Sequence, residues 1–267
     1  MAEIKDILAL MRSIAPESAT EPGFDDNVGL LVGSERGSTD TALLCLDCTE
    51  NVIAEAAAKG AKLVISHHPV IFRGIRSVTD GDPTGRTILA AARAGVSVYS
   101  AHTNLDFCDG GLNDYAAELA GLSDVRPMLE EGGVKVGRYG RLKETTLSGL
   151  ADSLAAAFDD RHIRIIGGGA EKITSAAVVN GGGGDIGFLR MAMELADCYV
   201  TGDVPHHVQL YAAQSGYPLV VMQHYSMEAV YMKRLSVLLG KAAEARGMGV
   251  RFAVAESEYN PAQQEVL

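Results

Sequence analysis

Twice along the chain an apolar run gives way to an Ala-rich segment of helical period, then to a second run, a second such segment and a third run. The first block spans residues 41–106 and the second residues 175–228. This order admits few folds, because successive strands joined by helical crossovers pair in parallel and need helices to cover the sheet. The strand candidates are Leu43 to Leu46, Leu63 to Ser66 and Val96 to Ser100, then Ala176 to Val179, Cys198 to Thr201 and Pro218 to Met222. Helix candidates lie between and beyond them, at Glu50 to Lys59, Arg86 to Ala94, Asn113 to Leu119, Gly187 to Leu195, His206 to Gln214 and Ser226 to Ala245. Lys59-Gly60, Ala94-Gly95, Ala120-Gly121 and Ser215-Gly216 supply the stops expected after helices.

The expected fold is therefore α/β, with two similar α/β domains of mixed sheets flanked by helices. Residues 1–125 form the first domain, joined by the C-terminal helix and tail at about 226–267, and residues 126–225 form the second. Between the blocks, a Gly-rich stretch around Gly132 to Arg141 and an Ala-rich helix from Leu147 to Phe158 open the second domain.

Composition narrows the partners. With 34 acidic against 23 basic residues, the formal charge of −11 repels phosphate backbones and anionic lipid, so neither nucleic acid nor membrane is an expected partner. The apolar runs are far shorter than the roughly 20 residues of a spanning helix. The N-terminus has no basic region followed by a long apolar one, and the four cysteines are scattered, so a cytoplasmic protein with reduced thiols is expected.

Polar residues collect where the strands end. In the first block these are Asp47, His67-His68 and His102 to Asp106; in the second they are Asn180, Asp203 to His207 and His224. Open α/β sheets place their ligands at those ends. Pro69 turns the chain after His67-His68, which lets both imidazoles lean toward one pocket and serve two ions. His102-Thr103-Asn104-Leu105-Asp106 packs an imidazole, a hydroxyl, an amide and a carboxylate into five residues; a helix cap with an incidental histidine is its simpler reading. His224 and Glu228, four apart at a helix start, share one face. Imidazoles with carboxylates and no thiolate suit Zn, Fe, Mn or Co in a hydrolytic two-metal site rather than a closed structural zinc.

The segments Asp26-Asn27-Val28-Gly29-Leu30, Ile65-Ser66-His67-His68-Pro69, Ser100 to Asp106, Thr201-Gly202-Asp203 and His224 to Glu228 occur in an order that resembles the GTP cyclohydrolase I type 2 homologue family, the NGG1-interacting-factor-3-like dinuclear-metal proteins. The resemblance covers nearly the whole chain. It implies two similar α/β domains, a toroidal homohexamer, and two divalent ions per chain (Zn, Fe or Mn) in the cleft between domains. It also implies that His67, His68, Asp106, His224 and Glu228 are the metal ligands, with Asp106 and Glu228 bridging, and that His102 is a proton shuttle or orienting group. Members often carry Trp before the Asp-Asn-Val-Gly segment and Gly before the last His, where this chain has Phe24-Asp25 and Gln223; neither change removes a ligand.

The expected activity is metal-dependent hydrolysis of a small, nucleotide-like substrate, GTP cyclohydrolase-like by resemblance. Asn27, Asp47, Thr103, Asn104 and Asp203 are the expected substrate contacts. A two-metal phosphoesterase and a non-catalytic metal-binding assembly protein are the alternatives. The Gly181 to Gly184 run opens a helix and is either a phosphate-contacting loop or a tight turn, and it lacks a Walker Lys-Ser/Thr.

Overall fold

The apolar runs pair into two separate mixed sheets in the computed structural model, which describes residues 1–168 and 172–262. One compact unit comprises Met1–Leu105 with the described residues from Met232 onward, and the other comprises Asp106–Tyr231.

The first unit is built on a five-stranded sheet in the order Arg251–Val254, Thr41–Cys45, Leu63–Ser66, Ser97–Ser100, Gly29–Val32. The first four strands run parallel and Gly29–Val32 closes the edge antiparallel. The three strands of the 41–106 block are buried at every position, as a sheet covered on both faces requires. Helices Glu50–Ala58 and Pro83–Ala94 supply one cover through Val52, Ile53, Ala56 and Ala91, packed on Leu43, Cys45, Val64 and Val98. Their ends follow local rules. Thr49 accepts from the Val52 N–H, Asp82 accepts from the Gly85 N–H with Pro83 in the first turn, and Gly95 stops the second helix at φ 62°. At the N-terminus, helix Ile4–Ile14 buries Ile7, Leu8, Leu10 and Met11 completely.

The second unit carries a six-stranded sheet in the order Arg164–Ile166, Leu219–Val221, Tyr199–Thr201, Ile173–Val178, Arg138–Thr145, Ser123–Arg126. Its three central strands are parallel, and antiparallel strands flank them on both sides. Side chains alternate with period two. Ala176, Val178, Cys198, Val200, Val220 and Met222 face helices Leu112–Leu119 and Leu147–Phe158. Ala177, Val179, Tyr199, Leu219 and Val221 face helices Ile186–Leu195 and His206–Gln214.

The chain is thus mixed α/β with helix-flanked mixed sheets, as its alternating pattern implies. Five strands of the two sheets lay outside the expected set: Gly29–Val32, Ser123–Arg126, Arg138–Thr145, Arg164–Ile166 and Arg251–Val254. Each is an edge or flanking strand, and pairing with a neighbour, more than its own composition, makes it a strand. Cys45, Cys108 and Cys198 are buried free thiols, and Cys48 is a half-buried one. Among the described residues no helix is long and apolar enough to cross a membrane.

Candidate metal-binding groups

In the first unit the parallel ladder continues one step past the strand Leu63–Ser66. The His67 N–H donates to the Cys45 carbonyl at 3.0 Å and the His68 N–H to that of Leu46 at 2.9 Å, so both histidines leave the sheet on a fixed backbone. The Ser66 hydroxyl hydrogen-bonds the His68 carbonyl and the Ser100 hydroxyl, each at 2.8 Å, which ties the ends of two strands together. The His67 ring lies 5.0 Å from that of His68 and 5.3 Å from that of His102, and His68 and His102 are 5.8 Å apart. One ligand nitrogen from each of the three lies within 4.8 Å of the others.

The Nδ1 atoms decide what these rings can do. His67 Nδ1 meets the Ala101 carbonyl at 2.9 Å, His68 Nδ1 meets Asp47 Oδ1 at 2.8 Å and His102 Nδ1 meets Asp26 Oδ1 at 2.8 Å. A carbonyl or carboxylate only accepts, so each ring donates from Nδ1, and a neutral ring then carries its lone pair on Nε2. Imidazole ligands of metals are oriented in this way. Asp26 is almost wholly buried and also receives the Thr103 N–H at 3.1 Å and hydroxyl at 2.6 Å. Burial works against its charge, but the bonds from His102 and Thr103 prevail and hold its carboxyl below the usual range. Beside Asp47, whose N–H donates to Glu258, burial raises the Glu258 pKa against that hydrogen bond.

In the second unit, His224 begins the long helix His224–Ala245 immediately after the central strand Leu219–Val221. Its Nδ1 lies 2.7 Å from Asp203 Oδ2 and its Nε2 lies 3.0 Å from Glu228 Oε2. Burial disfavours an imidazolium here, yet the Glu228 charge and the hydrogen bonds the ring donates to both carboxylates raise its pKa to about 11. Asp203 sits at φ 47°, a left-handed conformation that a non-glycine residue holds at a cost. Gly181 lies against this pair. A Cβ there would fall 1.8 Å from Glu228 Oε1, and the Gly202 N–H donates to the Gly181 carbonyl at 3.0 Å. Asp106 is buried in the short helix Thr103–Phe107, and the wholly buried Asn113 donates to its carbonyl at 3.0 Å. The other end of the Asn113 amide accepts from the Asn180 N–H at 3.0 Å, so one side chain joins the Asp106 segment to the Gly-rich loop.

The first unit thus brings ligand nitrogens of three histidines together, and the second pairs His224 with Asp203 and Glu228. The expected substrate contacts occupy varied positions. Asp47 and Asp203 hold histidines, as above. Asn27 donates to the Ile71 carbonyl at 2.6 Å, Thr103 binds Asp26, and Asn104 donates to the Ala15 carbonyl at 2.9 Å. The Gly181 to Gly184 loop is packed tightly: a Cβ on Gly183 would meet Val179, Thr201 and Tyr199 at 2.5–2.6 Å, and Asp185 caps the helix that follows. Sequence reasoning did not single out Asn113, Glu258 or Asp160. Asp160 is a buried carboxylate that accepts from the Gln223 N–H at 2.7 Å, next to His224. Nothing in their local sequence distinguishes them, because the partners Asn180, Asp47 and Gln223 lie tens of residues away or more.

A sequence profile of the family described as Duf34/NIF3 (NGG1p interacting factor 3) matches residues 2–261. A Clostridium perfringens protein named GTP cyclohydrolase 1 type 2 homolog is 34% identical over 266 residues, covering 97% of this chain and 98% of its own length. A Schizosaccharomyces pombe protein named NIF3 homolog is 30% identical over 88% of this chain and 89% of its own. The crystal structure of Staphylococcus aureus protein SA1388 superposes with a TM-score of 0.89 at 25% identity, covering 100% of this chain and 99% of that one. A whole-length profile match, together with relatives that share a third of their residues from end to end, establishes that the chain belongs to the Duf34/NIF3 family.

Proposed function

We propose that the chain is a metal-dependent hydrolase in which His67 and His68 of the first unit and Asp106, His224 and Glu228 of the second hold two divalent cations, Zn, Fe or Mn. The observation that carries this reading is the set of Nδ1 hydrogen bonds, which present Nε2 of His67 and His68 as neutral donors. Nitrogen and carboxylate donors without thiolate fit hard or borderline divalent ions. Cations so held supply Lewis acidity and bring water toward hydroxide near neutral pH.

The chain's own groups do the rest. Asp47 orients His68 and Asp203 orients His224, while the Ala101 carbonyl fixes the His67 ring. His102 has its tautomer set by the buried Asp26 and moves a proton at Nε2. The substrate is a small nucleotide-like molecule. The GTP cyclohydrolase activity in the names of the relatives is the first to assay, with a homohexameric ring as the working assembly.

Metal content per chain, measured by elemental analysis on anaerobically purified wild type and Asp106→Ala, tests the reading when the same samples are assayed against GTP and a panel of phosphate esters. About two ions in the wild type, depleted in the variant along with turnover, is the expected result. A wild type that stays metal-free after reconstitution with Zn, Mn or Fe overturns it. Two ions without turnover of any substrate would instead point to a metal-binding assembly protein.

A further inference from the structure

Phe24 and Phe72 are 40% and 49% exposed in a chain with six phenylalanines and no tryptophan. Neighbouring aromatic side chains left this open usually serve recognition. Their ring centroids are 6.1 Å apart, tilted by 50°. Both also approach His102, Phe24 at 6.3 Å and Phe72 edge-on at 5.9 Å. The three rings form a wedge at the rim of the His67–His68–His102 cluster. The bond from Asn27 to the Ile71 carbonyl ties the segment that carries Phe24 to the one that carries Phe72. Just past Phe72, Arg73 and Arg76 are exposed, and neither forms an ion pair with any described residue, although the chain carries a net charge of −11.

We propose that Phe24 and Phe72 form the subsite for a planar heteroaromatic ring of the substrate, with Arg73 and Arg76 meeting its anionic arm. This rests on the hydrolase reading and adds the recognition chemistry to it. Tilted aromatic rings accept a flat ring by stacking and edge contacts. A box of three rings also suits a cation, but two exposed arginines without an ion pair among the described residues, one and four residues past Phe72 in the chain, disfavour one and favour an anion. A ring with an anionic chain satisfies both features, as in a nucleoside phosphate.

Titration calorimetry on metal-loaded protein tests this, with GTP as the ring-bearing probe and inorganic tripolyphosphate as the ring-free one. In Phe24→Ala, Phe72→Ala and Phe72→Leu, GTP affinity is expected to fall about tenfold, with tripolyphosphate affinity unchanged. The double variant Arg73→Ala/Arg76→Ala is expected to weaken both probes. Absence of GTP binding to metal-replete wild type overturns the subsite, as does an equal loss for both probes or full GTP affinity in Phe72→Leu. A change of oligomeric mass in the Phe variants by light scattering, with GTP affinity intact, also overturns it and marks the face as a subunit contact. Metal content measured on each sample separates the two levels. A metal-free wild type removes the hydrolase reading, and the subsite with it; metal-replete protein with Phe-independent GTP binding removes the subsite alone.

Discussion

The two parallel three-strand blocks end in different chemistry. In the first, the strands deliver Asp47, then His67 and His68, then His102; in the second, the corresponding strand ends deliver Asn180, Asp203 and His224. The first block is rich in imidazole, and each ring is held through Nδ1 by a carboxylate or a carbonyl. The second offers one imidazole between two carboxylates, which raise its pKa to about 11. One scaffold thus supports a nitrogen-rich and an oxygen-rich group, because what a strand end presents depends on a few residues after the ladder stops. Their supports differ too. Asp26, which steadies the first group, is 1% exposed at its side chain, whereas Asp203, which steadies the second, is 64% exposed.

That contrast can be sharpened by experiment, and acid is the strongest lever. Glu55 in the first unit accepts from the N–H groups of Glu256 and Ser257 and pairs with Lys59. Burial opposes its charge, but these bonds lower its pKa from 4.5 to about 2. Its contribution is complete above pH 4.5 and is lost as the pH falls toward 2. Denaturant melts at pH 6 and pH 3 should therefore show a first-unit loss on the order of 2 kcal/mol, the larger part of the roughly 3 kcal/mol that Glu55→Gln loses at pH 6. Next, Asp26→Asn removes a buried charge that receives three hydrogen bonds, and a fall of about 2 kcal/mol is expected at neutral pH. Gly181→Ala comes third. Its left-handed backbone and the approach to Glu228 should cost about 1–2 kcal/mol, read as a lower melting temperature, with reduced metal uptake if Glu228 is a ligand. The smallest effect belongs to Asp203→Asn, about 0.5 kcal/mol, because its ion pair is largely solvated. A stability loss for Asp203→Asn as large as that for Asp26→Asn would erase the proposed difference between the two groups.

Much of the scaffold was legible in the residues. The strand Leu63–Ser66 and the helices Leu147–Phe158 and His206–Gln214 lie where their apolar periods and capping residues put them. The unit boundary was not legible in the same way. Helix Leu112–Leu119 precedes residue 125, yet Ala116 and Ala117 pack into the core around Leu150 and Val178. An amphipathic helix records that one face is buried and says nothing about which sheet buries it. The same limit hid the strand Arg251–Val254, which pairs with Thr41–Cys45 from more than 200 residues away.

The histidine groups show both sides. That imidazoles and carboxylates gather at strand ends could be read directly, since it follows from a strict alternation of local patterns. The sequence by itself determined the α/β class, the two blocks, and the residue types offered at their ends, because periodicity and capping act over a few neighbouring residues. Tertiary structure alone decided that Asp26 rather than a nearer carboxylate fixes His102, that Asn113 links Asp106 to the Gly-rich loop, and that Phe24 meets Phe72. Those contacts join segments far apart in the chain, and hydrogen-bond direction and ring approach exist only once the sheets have brought them together.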